Sequence, residues 1–165
     1  LAALLLFPHI RRRPLELFGE GTQDCIMPLL ATAAVVGFGG VVVKTVGFTQ
    51  FTSAMVGADV NPLISMFGAI SVVSGITGSA SGGLQIFMST LSESYLAMGI
   101  APEELHRLVV MASGGFDSLP HCGAIVAMLT ITGLSHKQAY KDVGIVTVVI
   151  PVIATLLALG LAIVT

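Results

Sequence analysis

TGSASGG, residues Thr77–Gly83, and ASGGFDSLPHCG, residues Ala112–Gly123, interrupt two strongly apolar stretches of this chain, and both contain the string Ala-Ser-Gly-Gly. The first lies inside the apolar run Leu63–Leu91. The second separates Leu108–Met111 from Ala124–Leu134. Backbone released from a helix inside a bilayer finds no lipid partner for its N–H and C=O groups. It persists only where protein packs around it or where it lines a watery cavity. A matched pair of such interruptions is the sequence pattern of a transporter's binding site, and the two breaks are where this chain concentrates its polar chemistry.

Composition supports a membrane setting. Of the 165 residues, 55% are hydrophobic and only 10% charged, against about 25% charged in soluble domains. The run Val143–Val164 carries no charge and suffices to cross roughly 30 Å of hydrocarbon. The formal net charge of −2 and the lack of a basic stripe give no reason to expect nucleic acid as a partner. Cys25 and Cys122 are too few for a disulfide framework and lack metal-finger spacing. The sequence implies no metal and no cofactor. Leu1–Phe7 reads as the end of a helix that begins upstream, so the expected whole is a C-terminal part of one transporter membrane domain.

Further apolar segments are Ile26–Val43 and Leu105–Leu134. The run from Leu63 is too long for a simple span, since about 29 residues of helix measure about 43 Å. A re-entrant hairpin over about 62–91, turning at TGSASGG, resolves this. A broken helix over about 102–134 and a last helix over about 136–164 follow. With the hairpin, Arg11, Arg12, Arg13, Lys137 and Lys141 fall on the cytoplasmic side and only Lys44 and Arg107 outside, as the positive-inside rule favours. Asn61-Pro62 can cap and open the hairpin. Pro102 with Glu103 and Glu104 starts a helix with acids in its first turn. Ser135 and Gln138 resemble a capping box, and Pro151 predicts a kink near Thr147–Ile150. Lys44–Val60 is less apolar and has no assigned place.

In the breaks, glycines permit turns and close approach, while Thr77, Ser79, Ser81, Ser113 and Ser118 supply hydroxyls. Half-helices starting there would direct their positive ends at one point, which suits a carboxylate. The same small residues also let membrane helices pack closely, so packing is the competing explanation. Asp117 and His121 are the ionisable residues well inside the second broken segment, where charge is costly and usually functional. Histidine suits proton carriage near neutral pH, with Asp117 as its partner or a cation ligand; a structural pair that pins the loop is the alternative. His106 and Arg107 belong to an external loop, and His136, Lys137 and Lys141 to a solvated cytoplasmic face.

With these motifs in view, the chain resembles the gluconate permease family, bacterial gluconate:proton symporters within the ion-transporter superfamily. The likeness is sharpest at GITGSASGG (Gly75–Gly83), ASGGFDSLPHCGAIV (Ala112–Val126) and TGLSHKQAYKD (Thr132–Asp142), and softer at Met27–Val42. The resemblance implies an all-α integral membrane protein, half of an inverted-repeat transporter, in the bacterial inner membrane. It implies proton-coupled uptake of a small hydroxy-carboxylate: a gluconate-like sugar acid, glycerate or hydroxybutyrate. Substrate-binding candidates are Thr77, Ser79, Ser81, Gly82, Gly83, Ser113, Gly114, Gly115 and Ser118, with Asp117 and His121 coupling the proton. The implied partners are the carboxylate, a proton or another cation, the lipid bilayer and the N-terminal half of the same protein; homo-oligomerisation stays open. Cys122 departs from the family by standing where asparagine is expected, removing an amide beside His121.

Two other classes compete. An intramembrane serine hydrolase would use Ser81 as nucleophile and His121 as base, although Ser79 replaces the glycine expected two residues before such a serine. A passive anion channel would show a filter or a polar helix stripe, and neither is evident.

Overall fold

The computed structural model describes Phe7 and residues 13–164. Leu1–Leu6 of the incoming apolar stretch, and Arg11 and Arg12 of the arginine cluster, lie outside the described residues. Every regular element among the described residues is helical: α1 (Pro14–Val42), α2 (Val46–Val56), α3 (Pro62–Thr77), α4 (Ala80–Thr90), α5 (Ser92–Ala97), α6 (Pro102–Phe116), α7 (Gly123–Thr132), α8 (His136–Gly144), a π-turn (Ile145–Val149) and α9 (Ile150–Val164). Two compact units divide the chain, Leu1–Ala34 and Val35–Thr165.

The first unit holds the opening part of α1. Arg13 Nε pairs with Glu16 at 2.9 Å, an exposed pair of little energetic weight. Thr22 Oγ1 donates to the Phe18 carbonyl at 2.7 Å. Leu15, Phe18, Leu29 and Leu30 are exposed.

The second unit is built around α3. Asn61 Oδ1 accepts from Leu63 N at 2.9 Å and Pro62 occupies the first turn, the cap its sequence signals. Sixteen residues give a rod of about 24 Å, short of a bilayer's hydrocarbon. Gly78 ends α3 in the left-handed conformation, φ +58, and α4 starts two residues later. α4 then runs back antiparallel: Gly83 lies on Ser74, Ile86 clusters with Val73, and farther out Phe87 and Tyr95 pack with Leu63 and Met66. The Tyr95 hydroxyl meets Ser65 Oγ at 2.9 Å, and Ser65 also donates to the Met55 carbonyl. Phe87 and Tyr95 stack at 5.6 Å between ring centres. Leu105, Leu108 and Val109 of α6 complete the core with Leu159 of α9.

Two local expectations meet a different geometry. Ala112–Gly115 stays inside α6, and the break falls at Asp117–Cys122. Helical glycine costs roughly 1 kcal/mol in isolation, but here it permits contact: a Cβ on Gly115 would lie 2.7 Å from Val152 Cγ2 of α9. Secondly, His106 and Arg107, expected in a loop, sit in α6, whose first turn carries Glu103 and Glu104. The stretch Thr147–Ile150, where Pro151 predicted a kink, overlaps the π-turn Ile145–Val149: Pro151 has no N–H to give one turn back, and Ile150 N reaches Ile145 O. Lys44–Val60, unassigned from sequence, is mostly α2, capped by Thr45 Oγ1 accepting from Phe48 N at 3.2 Å. At the start of α8, Gln138 Oε1 accepts from Ser135 N at 2.9 Å and Ser135 Oγ at 2.7 Å. From His136 to Val164 the helical path is 29 residues, long and apolar enough to cross a membrane.

Candidate functional site

The two interruptions meet. A Cβ placed on Gly78 would lie 3.3 Å from the Cys122 Cα and 3.7 Å from His121 Nε2, so the turn of the α3–α4 hairpin abuts the α6–α7 linker. Gly78 is required there twice, by its positive φ and by that approach.

Each side of the contact is shaped by short-range hydrogen bonds. Thr77 Oγ1 lies 3.0 Å from Val73 O, 3.2 Å from Ser74 O and 3.1 Å from Ser79 O, so it secures the turn. Ser79 is the N-cap of α4: its Oγ accepts from Gly82 N at 3.2 Å and lies 3.2 Å from Ser81 Oγ. Across the contact, Ser118 Oγ donates to Asp117 Oδ1 at 2.8 Å. Cys122 N donates to Leu119 O at 2.8 Å, and Val126 N to Cys122 O at 3.0 Å, opening α7.

His121 joins the two sides, its Nε2 standing 2.8 Å from Gly75 O. That carbonyl belongs to the last turn of α3, where i+4 partners run out. The Ser79 N–H that would have reached it goes to Ser74 O instead. In the Nε2–H tautomer His121 donates to it. α4 starts at Ala80 and α7 at Gly123, so two helix N-termini begin within two residues of the Gly78–Cys122 contact. Each carries roughly half a positive charge, and together with the Ser79 and Ser81 hydroxyls they make a setting for an anion.

Of the sequence candidates, Thr77, Ser79, Ser81, Gly82, Asp117, Ser118 and His121 gather around the two tips. Asp117 and His121 do not pair with each other; their hydrogen bonds go to Ser118 and Gly75. Ser113, Gly114, Gly115 and Gly83 lie in helix bodies. Ser113 is 2% exposed and donates to Val110 O at 2.8 Å. Gly83 packs so tightly that a Cβ would fall 2.2 Å from Ser74 Oγ, whereas one on Gly114 would meet nothing within 4 Å. Ser81 Oγ faces Ser79 rather than His121, so no nucleophile–base pair is formed.

The sequence left two supports unseen. His136 Nε2 lies 2.8 Å from Pro120 O, and the Tyr140 hydroxyl donates to Ser118 O at 3.0 Å. One face of α8 thus holds the linker by two carbonyls, with Cys122, Ile125 and Leu129 packed against Ala139, Tyr140 and Val143. The i, i+4 aromatic pair, ring centres 6.1 Å apart, was the available signal; His136 is part of this support as well as of the exposed face.

Among the described residues every regular element is helical, one helical path is long and apolar enough to cross a membrane, and the two interruptions abut. The chain is 40% identical over 138 residues, 81% of its length, to the uncharacterized transporter YxjC of Bacillus subtilis (strain 168). The chain spans 29% of that relative's length. This likeness supports transport in general. No protein-family model matches the chain, and no solved structure matches it.

Proposed function

We propose that the chain forms part of the substrate site of a secondary active transporter of the gluconate permease type, carrying a small hydroxy-carboxylate together with a proton across the bacterial inner membrane. The observation that carries this is the contact of Gly78 with Cys122 and His121, which brings the N-termini of α4 and α7 together. The carboxylate binds between these two positive ends, with Ser79 and Ser81 as hydroxyl partners. In this scheme α3 and α4 dip into the bilayer as a re-entrant hairpin, α6 and α7 form a broken helix, and His136–Val164 crosses as one of several spans.

His121 and Asp117 couple the proton. His121 bridges the hairpin to the broken helix, so a change in its protonation changes the bond that joins the two tips. Alternating access then moves one part of the membrane domain against the other around this point. The lipid bilayer and the remainder of the transporter domain complete the setting.

The test is uptake of labelled gluconate, glycerate and 3-hydroxybutyrate into vesicles containing the full-length protein, with and without an imposed pH gradient. Accumulation of one acid driven by the gradient, and lost in Asp117→Asn and His121→Ala, is the expected result. Uptake indifferent to the gradient and retained by both variants overturns the proposal.

A further inference from the structure

Beside the tips, the outer face of α3 carries an open groove of about 590 Å³, within the size range of small-molecule sites. Its walls are apolar, among them Phe67, Val72, Phe116 and Leu119. Its lining positions on α3 recur every fourth residue, Phe67 and Gly68, Ser71 and Val72, Gly75 and Ile76. That repeat makes a stripe roughly 12 Å long. One end of the stripe is Gly75, whose carbonyl is bonded to His121, itself a lining residue. The groove therefore leads along α3 to the place where the two interruptions meet.

The other polar side chain of the lining is Ser71. It is 7% exposed, and its Oγ is buried with no hydrogen-bond partner. A hydroxyl removed from water and left unpaired destabilises the protein, and such groups in native structures call for a partner. Serine reaches any of three staggered rotamers, so this one can turn toward a ligand in the groove.

We infer that the groove holds the carbon chain of the transported acid, with the Ser71 hydroxyl as the hydrogen-bond partner of a hydroxyl on that chain, while its carboxylate sits at the helix tips. This rests on the transport reading above. It adds a subsite to it and makes Ser71 a specificity-determining residue. The ligand class is a small hydroxy-carboxylate with one hydroxyl facing α3; of the three acids, 3-hydroxybutyrate, with a single hydroxyl on an otherwise apolar chain, matches these walls best and polyhydroxylated gluconate least. A lone aliphatic acid lacking the hydroxyl fills the same walls but leaves Ser71 unpaired, and is discriminated against for that reason.

The experiment uses the full-length protein in proteoliposomes carrying Ser71→Cys, with the unsubstituted protein as the background for Cys25 and Cys122. Reaction with a charged methanethiosulfonate reagent is timed alone and with saturating gluconate, glycerate or 3-hydroxybutyrate. The expected result is labelling above background, slowed at least fivefold by whichever acid the vesicles accumulate. Labelling that never exceeds background, or that none of the acids slows, overturns the assignment. Gly68→Leu gives a second arm that does not depend on Ser71. A Cβ at Gly68 meets nothing nearer than Met55 Sδ at 3.9 Å, so the added side chain enters the groove. Uptake should fall more than tenfold with an unchanged melting midpoint, and unchanged uptake overturns the assignment. Gradient-driven uptake by the unsubstituted protein, measured in the same vesicles, separates the two failures. Its absence defeats the transport reading, whereas its presence with an unprotected Ser71→Cys defeats the groove alone.

Discussion

Gly83→Ala and Gly114→Ala form a matched pair that isolates what holds the hairpin arms together. Both glycines lie inside helices, so both substitutions gain roughly 1 kcal/mol of helix propensity, and that gain cancels in the comparison. At Gly114 the new methyl meets nothing within 4 Å, and the variant should be more stable than wild type by about that gain. At Gly83 the methyl would lie 2.2 Å from Ser74 Oγ and 2.7 Å from Ser74 Cα. The serine hydroxyl can rotate away, but the Cα cannot, so α3 and α4 must separate. Overpacking of this kind costs about 1–3 kcal/mol. The two variants should therefore differ by about 2 kcal/mol, roughly a 30-fold change in the unfolding constant. Reversible unfolding of the purified full-length protein, followed by helical circular dichroism in mixed detergent, measures that difference directly. Equal stability of the two variants would refute the close antiparallel packing of α3 on α4, and with it the placement of the Gly78 turn.

Other substitutions probe the tips and their support. Gly78→Ala places a methyl on a left-handed residue, at a backbone cost of about 1–2 kcal/mol, and pushes on Cys122 3.3 Å away; a lowered melting midpoint together with lost uptake is expected. Tyr140→Phe removes one hydrogen bond to the Ser118 carbonyl, worth about 1 kcal/mol. It should loosen the linker enough for Cys122, now buried, to react faster with a maleimide, while Tyr140→Phe and wild type melt within a few degrees of one another. Ser79→Ala removes the α4 cap at about 1 kcal/mol and should weaken uptake more than Asn61→Ala, which removes a cap of similar strength at the far end of α3. Asp117→Asn retains an oxygen for Ser118 Oγ, so a loss of gradient-driven uptake in a stably folded Asp117→Asn protein would trace to the charge.

Much of the element structure was legible because it is written in short-range chemistry. Asn61-Pro62, Pro102-Glu103-Glu104 and Ser135 with Gln138 each announce a helix start within four residues, and a helix begins at each: with Asn61 as a side-chain cap, with a capping box at Ser135, and at Pro102 with only the proline and the first-turn acids. The turn within TGSASGG was legible too, as a small, glycine-containing polar break in an apolar run; that Ser79 caps the following helix was not. What escaped was decided by partners distant in sequence. Ala112–Gly115 reads as a break until Val152, from another helix, fills the space that a side chain would need, and the true interruption moves to Asp117–Cys122. His136 reads as a solvated residue because nothing nearby in sequence shows that the Pro120 carbonyl lies within its reach. Ser71 looks like any serine in an apolar helix, since its missing partner is visible only after α6 and the linker are laid against α3.

The decisive measurement is gradient-dependent uptake in vesicles of the full-length protein. One of gluconate, glycerate or 3-hydroxybutyrate should accumulate when a pH gradient is imposed, and His121→Ala should abolish the accumulation in a protein that still folds. Uptake that proceeds equally without the gradient, and survives His121→Ala, would overturn proton-coupled transport through His121.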